Sequence, residues 1–243
     1  MGRLAGRRPM RISSLPRTDI NKQQIKGAGT NVKKLKAPVL PQELERLTLP
    51  PAAEWGERTF SGGLVADTAF DDGEASVVSF NTVVFKNATF QRTSLQKLEL
   101  TDVKFERCDL CNADFTGVLM HRVEFVNCKL VGTIMNESVM RGVKFTDCNS
   151  TYAQFRFSDW KQGVFEDCLL GSADFTESKL VSVQYDRCKM PKAEMLRTKL
   201  QGIDLSSCEI DGLMVNMDDL PGCVIAPDQA ALFARFLGLV IKE

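Results

Sequence analysis

The chain has 243 residues, 44% hydrophobic and 26% charged, with 31 basic and 31 acidic side chains that cancel. No stretch approaches the roughly 20 apolar residues of a membrane span, and there is neither a phosphate-cradling glycine loop nor a nucleophile–histidine pair. We therefore expect no membrane insertion, no enzyme activity, no cofactor and no metal site.

The charge is unevenly spread. Residues 1–50 hold 11 Lys/Arg and 3 Asp/Glu, residues 51–75 hold 1 and 6, and residues 76–225 hold 17 and 20. The first 39 residues are poor in large apolar side chains and punctuated by Pro9, Pro16, Gly27, Gly29 and Pro38. Such a stretch buries too little surface to offset its ordering entropy, which predicts a disordered basic arm over 1–39. It lacks the apolar core of a signal peptide, so the expected location is cytoplasmic. Residues 40–75 read as an N-terminal cap and first irregular coil. Within them PQELERL (41–47) suits a short helix with Pro41 near its first turn. Phe60, Val65 and Phe70 already keep the beat that follows, so the coils can begin near 60.

From Phe80 to Ile225 every fifth residue is large and apolar, with Ser150 as the exception. Two residues before each stands a smaller side chain. Stacked at twenty, these fall into columns. One runs Val83, Val103, Val123, Val143, Gly163, Val183, Ile203; another runs Ala88, Cys108, Cys128, Cys148, Cys168, Cys188, Cys208. A period of five suits neither a helix at 3.6 nor a strand at 2. It suits a chain that turns a corner every five residues, so that four pentapeptides close one square coil over 76–225. Coils stacked at strand spacing give a rod on the order of 36 Å long. Gly163 replaces a valine beside Trp160, which predicts that the indole fills the vacated volume.

The cysteine column reads as packing. Parallel thiols in one column point the same way rather than at each other, and buried Cys serves as a small hydrophobe. Cys111 faces outward and is the thiol expected to react with a reagent. His121, the single histidine, reads as solvated. Leu119, Ile134, Val139 and Phe157 are outward apolar residues beside one corner, a candidate partner patch.

Residues 226–243 change character. Pro227 and Asp228 suit a helix start, Leu232, Phe233, Phe236 and Leu237 fall on one face, and Gly238 is placed to stop the helix. An open solenoid end needs a cap, and these four residues are expected to cap it and to pair with a second copy.

The segments CNADFTG (111–117), GSADFTE (171–177) and QGIDLSS (201–207) resemble the pentapeptide-repeat family, whose motif is A-(D/N)-L-x-x. The resemblance covers about 150 residues and implies an all-β, right-handed quadrilateral parallel β-helix with a C-terminal capping and dimerisation helix. CVIAPDQAALFARFLGLVIKE is similar to the C-terminal segment of the quinolone-resistance (Qnr-type) members, through Gln229, Ala230, Leu237 and Gly238. That similarity implies a homodimer and a type II topoisomerase, DNA gyrase, as partner. An alternative is a nucleic-acid-associated protein that binds through arm 1–39 and oligomerises through the rod.

Overall fold

The computed structural model describes residues 35–236 and 238–241, and within them the chain is a parallel β-solenoid of about six turns. Seven strands form its main sheet: β1 (Thr59–Ala66), β3 (Ser79–Lys86), β5 (Glu99–Glu106), β6 (Leu119–Val126), β7 (Val139–Thr146), β8 (Asp159–Glu166) and β9 (Lys179–Asp186). Two short strands, β2 (Glu74–Ser76) and β4 (Ser94–Gln96), pair on another side. Register advances by twenty throughout, as in Leu100 opposite Met120 opposite Met140, and Phe105 opposite Phe125 opposite Phe145. Between the strands the stacking continues as single parallel bridges, as far as Asp204 opposite Val224.

The inward columns make the core. Phe85, Phe105, Phe125, Phe145 and Phe165 stack face to face at 4.9, 4.8, 4.7 and 4.7 Å, and Tyr185 continues the pile at 5.3 Å. Each such ring is worth about 1.5–3 kcal/mol of burial. Ser150, the break in the beat, is nevertheless fully buried, and its hydroxyl has no hydrogen-bond partner.

The corners explain how a strand turns every five residues. Every fifth residue from Asp67 to Arg197 has a φ in the left-handed region, through corners such as Asn87, Asp102, Asn112, Gly117 and Asn127. Asn, Asp and Gly are the residues that adopt this conformation at least cost. The inward small residues are fastened from coil to coil by their own donors. The Thr93 hydroxyl donates to the Phe70 carbonyl (2.8 Å), Thr133 to Leu110 (2.7 Å) and Thr198 to Phe175 (2.7 Å).

At the N-terminal end β1 lies within the stretch expected as cap and irregular coil, in phase with Phe60 and Val65. Trp55 plugs this end of the core edge-on against Phe60, Phe70 and Phe80, its indole N–H bonded to the Pro50 carbonyl at 2.9 Å. The helix expected over PQELERL does not form. Arg46 instead bridges Leu64 of β1, and the Leu47 amide donates to the Leu64 carbonyl at 2.8 Å. An unpaired strand edge offers more hydrogen bonds than one isolated helical turn, so the segment is drawn out along it. The disordered arm expected over 1–39 lies outside the described residues as far as 34. Its last described part is anchored, with the Val39 amide donating to Asp102 Oδ1 at 2.8 Å.

Candidate interaction surface

The large and small beat residues are committed to packing, so outward chemistry is left to the corner residue and the two other outward positions of each pentapeptide, and to the two ends. The cysteine column lies inside: Cys108, Cys128, Cys148, Cys168, Cys188 and Cys208 are all buried. The thiols take the same role as the threonines, with Cys108 donating to the Phe85 carbonyl at 3.4 Å and Cys148 to Phe125 at 3.4 Å. The neighbouring Cys128 thiol, together with burial, pushes the Cys108 thiol up and keeps it protonated. Cys111 and Cys223 are half-buried. Burial and a hydrogen bond to Asp109 push the Cys111 thiol up, and burial beside Asp204 pushes Cys223 up to about 11. Both are therefore poor thiolates near neutral pH. Among the described residues no three His, Cys, Asp or Glu side chains converge as metal ligands.

The corner columns carry a pattern that the sequence reading missed. At four places corner residues twenty apart are paired, acid on one coil and arginine on the next. Arg92 lies on Asp72 (2.6 Å), Arg122 on Asp102 (2.5 Å), Arg187 on Asp167 (2.7 Å) and Arg197 on Glu177 (2.5 Å). The signal is present in the sequence as Asp, Asp, Asp and Glu each twenty before an Arg, at the fifth-residue corner. These charges are satisfied within the solenoid. Most are exposed, where such pairs contribute little to stability, but each sets a positive charge beside a negative one on the surface. The buried member is Asp102, whose carboxyl is held below the ordinary carboxylate range by hydrogen bonds from Arg122 and from the Val39 amide. His121 beside it is exposed, its Nε2 3.1 Å from Arg122.

The structure places three of the four patch residues, Leu119, Val139 and Phe157, beside one corner. Leu119 and Val139 are register partners on β6 and β7, at 44% exposure and half-buried respectively. Phe157 sits at the corner itself with φ 57°, 48% exposed, and Arg156 lies over its ring at 5.3 Å. Ile134 is half-buried on the neighbouring side, between its bridge partners Asp114 and Gln154. The row of Leu119 and Val139 ends in Glu99 on one side and Asp159 on the other. The result is a short apolar strip bounded by carboxylates. Tyr152, Leu169 and Val181 are further exposed apolar residues, not singled out from sequence because they share no column.

At the C-terminal end the helix α1 (Ala230–Phe236) follows a turn over 227–229. Gln229 docks it. Its side-chain amide donates to the carbonyls of Leu205 (2.9 Å) and Cys208 (2.7 Å), and its Oε1 accepts from the Ala226 amide (2.8 Å). Phe233 is buried and Leu232 packs on the same core. The Phe236 side chain and Leu237 lie outside the described residues. Gly238, φ +76°, closes the helix, with its amide on the Arg235 carbonyl at 2.9 Å. Beyond it Leu239, Val240 and Ile241 are exposed. Among the described residues no helix is long and apolar enough to cross a membrane.

A family model described as a pentapeptide repeat region matches residues 98–175. The uncharacterized protein YisX of Bacillus subtilis strain 168 is 52% identical over 158 residues, 65% of this chain and 74% of YisX. Among solved structures, HetL, a pentapeptide repeat protein involved in heterocyst differentiation regulation from Nostoc sp. strain PCC 7120, is similar at 13% identity and a TM-score of 0.42, covering 72% of this chain and 92% of that one. Full-length QnrB1, a plasmid-mediated fluoroquinolone resistance protein, is similar at 14% identity and a TM-score of 0.34, covering 73% of this chain and 100% of QnrB1.

Proposed function

Since the chain belongs to the pentapeptide-repeat family, we propose that it is a non-catalytic cytoplasmic scaffold whose right-handed, four-sided coil docks on another protein. The partner we propose is a type II topoisomerase, DNA gyrase, as for the quinolone-resistance members that the C-terminal segment resembles. The observation that carries this is the docked end. Gln229, the first of the matched residues in the similar segment, holds α1 against Leu205 and Cys208 and leaves Leu239, Val240 and Ile241 exposed at 58%, 90% and 42%. An apolar extended segment projecting past a docked cap suits pairing with its own copy, which gives a homodimer with two coil stacks.

Contact would run through shape, the strip of Leu119, Val139 and Phe157, and mixed charge. Wholesale imitation of duplex DNA is less suited to these coils, because four of the corner carboxylates are already matched by an arginine one coil on. Supercoiling by gyrase, with and without a quinolone, is the direct assay. Protection or inhibition at micromolar protein supports the proposal; no change under either condition sinks it.

The second proposal, nucleic-acid binding through arm 1–39 with the coils as oligomerisation scaffold, rests on the 11 basic and 3 acidic residues of 1–50. Deleting 1–39 separates the two. Gyrase effects survive the deletion under the first proposal, and salt-sensitive DNA or RNA retention is lost under the second.

A further inference from the structure

The cysteine column has no part in the docking proposed above. Cys108, Cys128, Cys148, Cys188 and Cys208 each donate to the carbonyl 23 residues earlier, at 3.3–3.6 Å, so their sulfurs repeat one position from coil to coil. The phenylalanine rings three residues before Cys108, Cys128, Cys148 and Cys168 step at 4.7–4.8 Å, and the step from Phe165 to Tyr185, three before Cys168 and Cys188, is 5.3 Å. A disulfide needs sulfurs about 2.05 Å apart, which the step does not allow, and all the cysteines are free. Two sulfur–metal bonds of about 2.3 Å laid end to end span about 4.6 Å, which it does. The side chains leave the backbone across the stacking axis, so a metal on that axis meets each sulfur near a right angle to its carbon bond. That is the arrangement of a linear bis-thiolate.

We propose that adjacent thiols of this column, Cys128 and Cys148 at its middle, bind a soft cation of linear two-coordinate geometry, with Hg2+ as the representative. Thiolate sulfur selects such ions over hard ones. Binding breaks the two S–H bonds, releases both protons to solvent and forms two S–Hg bonds. The bridge is neutral, so no charge is left in the apolar core. Zn2+ needs four converging ligands, and each gap in the column supplies two. Ala88 stands at the head of the same column, so alanine is already native to it.

The test uses the full chain with Cys111→Ala and Cys223→Ala, which leaves the six column thiols. HgCl2 is titrated in while native mass spectra, circular dichroism and X-ray absorption are followed. Six thiols taken two by two hold at most three ions. We expect up to about three Hg2+ per chain, two sulfur neighbours each, an unchanged β signal and no uptake of Zn2+. Adding Cys128→Ala and Cys168→Ala leaves only Cys188 and Cys208 adjacent, and capacity should fall to one. If that variant does not fold, Cys148→Ala alone should lower capacity to two. Failure of the folded chain to take up Hg2+, one sulfur per metal, uptake that costs the β signal, or a capacity indifferent to these substitutions would overturn the proposal.

Discussion

A Cβ built on Gly163 would stand 2.8 Å from Cε3 of Trp160, closer than two carbons can approach without one moving. The indole therefore occupies the place that valine holds at the same position of the other coils. It is fully buried among Phe145, Phe155, Phe165 and Phe175, and its N–H is bonded to Ser158 Oγ at 2.7 Å. The two residues should behave as a unit. We expect Trp160→Ala to cost about 3–5 kcal/mol and Gly163→Val alone to cost about 1–3 kcal/mol by overpacking. In Trp160→Ala/Gly163→Val the valine should recover part of the tryptophan loss, so the double variant is less damaged than the sum. Urea midpoints of the four proteins read this cycle. A loss below about 1 kcal/mol for Trp160→Ala, or simple additivity, would contradict it.

Tyr185 ends the run of stacked rings that begins at Phe85, and its hydroxyl is buried with no partner. Burial raises this phenol well above its ordinary range. A raised folded value means that the contribution is complete below the unfolded pKa of about 10 and is lost as pH climbs above it. Tyr185→Phe should stabilise the protein by about 1 kcal/mol at neutral pH and flatten the alkaline limb of the stability profile. Destabilisation would mean that the hydroxyl has a partner in solution.

Asp102 joins the described part of the N-terminal segment to the coils through Val39 and Arg122. Its folded pKa is depressed, first by Arg122, so its contribution is present above the unfolded value near 3.9 and is lost as pH falls through the lower folded value. Asp102→Ala should cost about 1–3 kcal/mol at pH 7, mostly by stranding Arg122. The gap to wild type should close in acid below pH 4. Hydrogen exchange at the Val39 amide should accelerate in the same variant; an unchanged rate would remove the anchor from the account.

Gln229 satisfies two carbonyls at the last coils. Gln229→Ala leaves both without that partner, and we expect a loss of about 1–3 kcal/mol and faster tryptic cleavage after Arg235. If the homodimer forms through this segment, light scattering should show its dissociation shifting to higher protein concentration. Unaltered cleavage would show that Phe233 and Leu232 hold the helix unaided.

How much of this was legible beforehand depends on the range of the interaction. The five-residue beat announces inward positions directly, because burial selects apolar side chains whatever lies next to them. Hence the columns, the buried thiols, the Gly163–Trp160 exchange and Gly238 as helix stop could be read from the chain. The pairing of Asp102 with Arg122, or Asp167 with Arg187, is written at a separation of twenty and has meaning only once the coil length is known.

By itself, then, the sequence determined the period, the inward set and the repeating unit, since each follows from local pattern and the need to bury apolar surface. Tertiary structure decided the two ends and the corners. PQELERL has the composition of a helical turn, yet Glu45, Arg46 and Leu47 pair along β1 because its open edge offers backbone partners that a lone turn cannot match. Trp55 becomes a plug and Val39 an anchor for the same reason: each meets groups at the unpaired end or flank of the stack. No local propensity encodes which exposed backbone or carboxylate a terminal segment will find. Only the stacked coils present them.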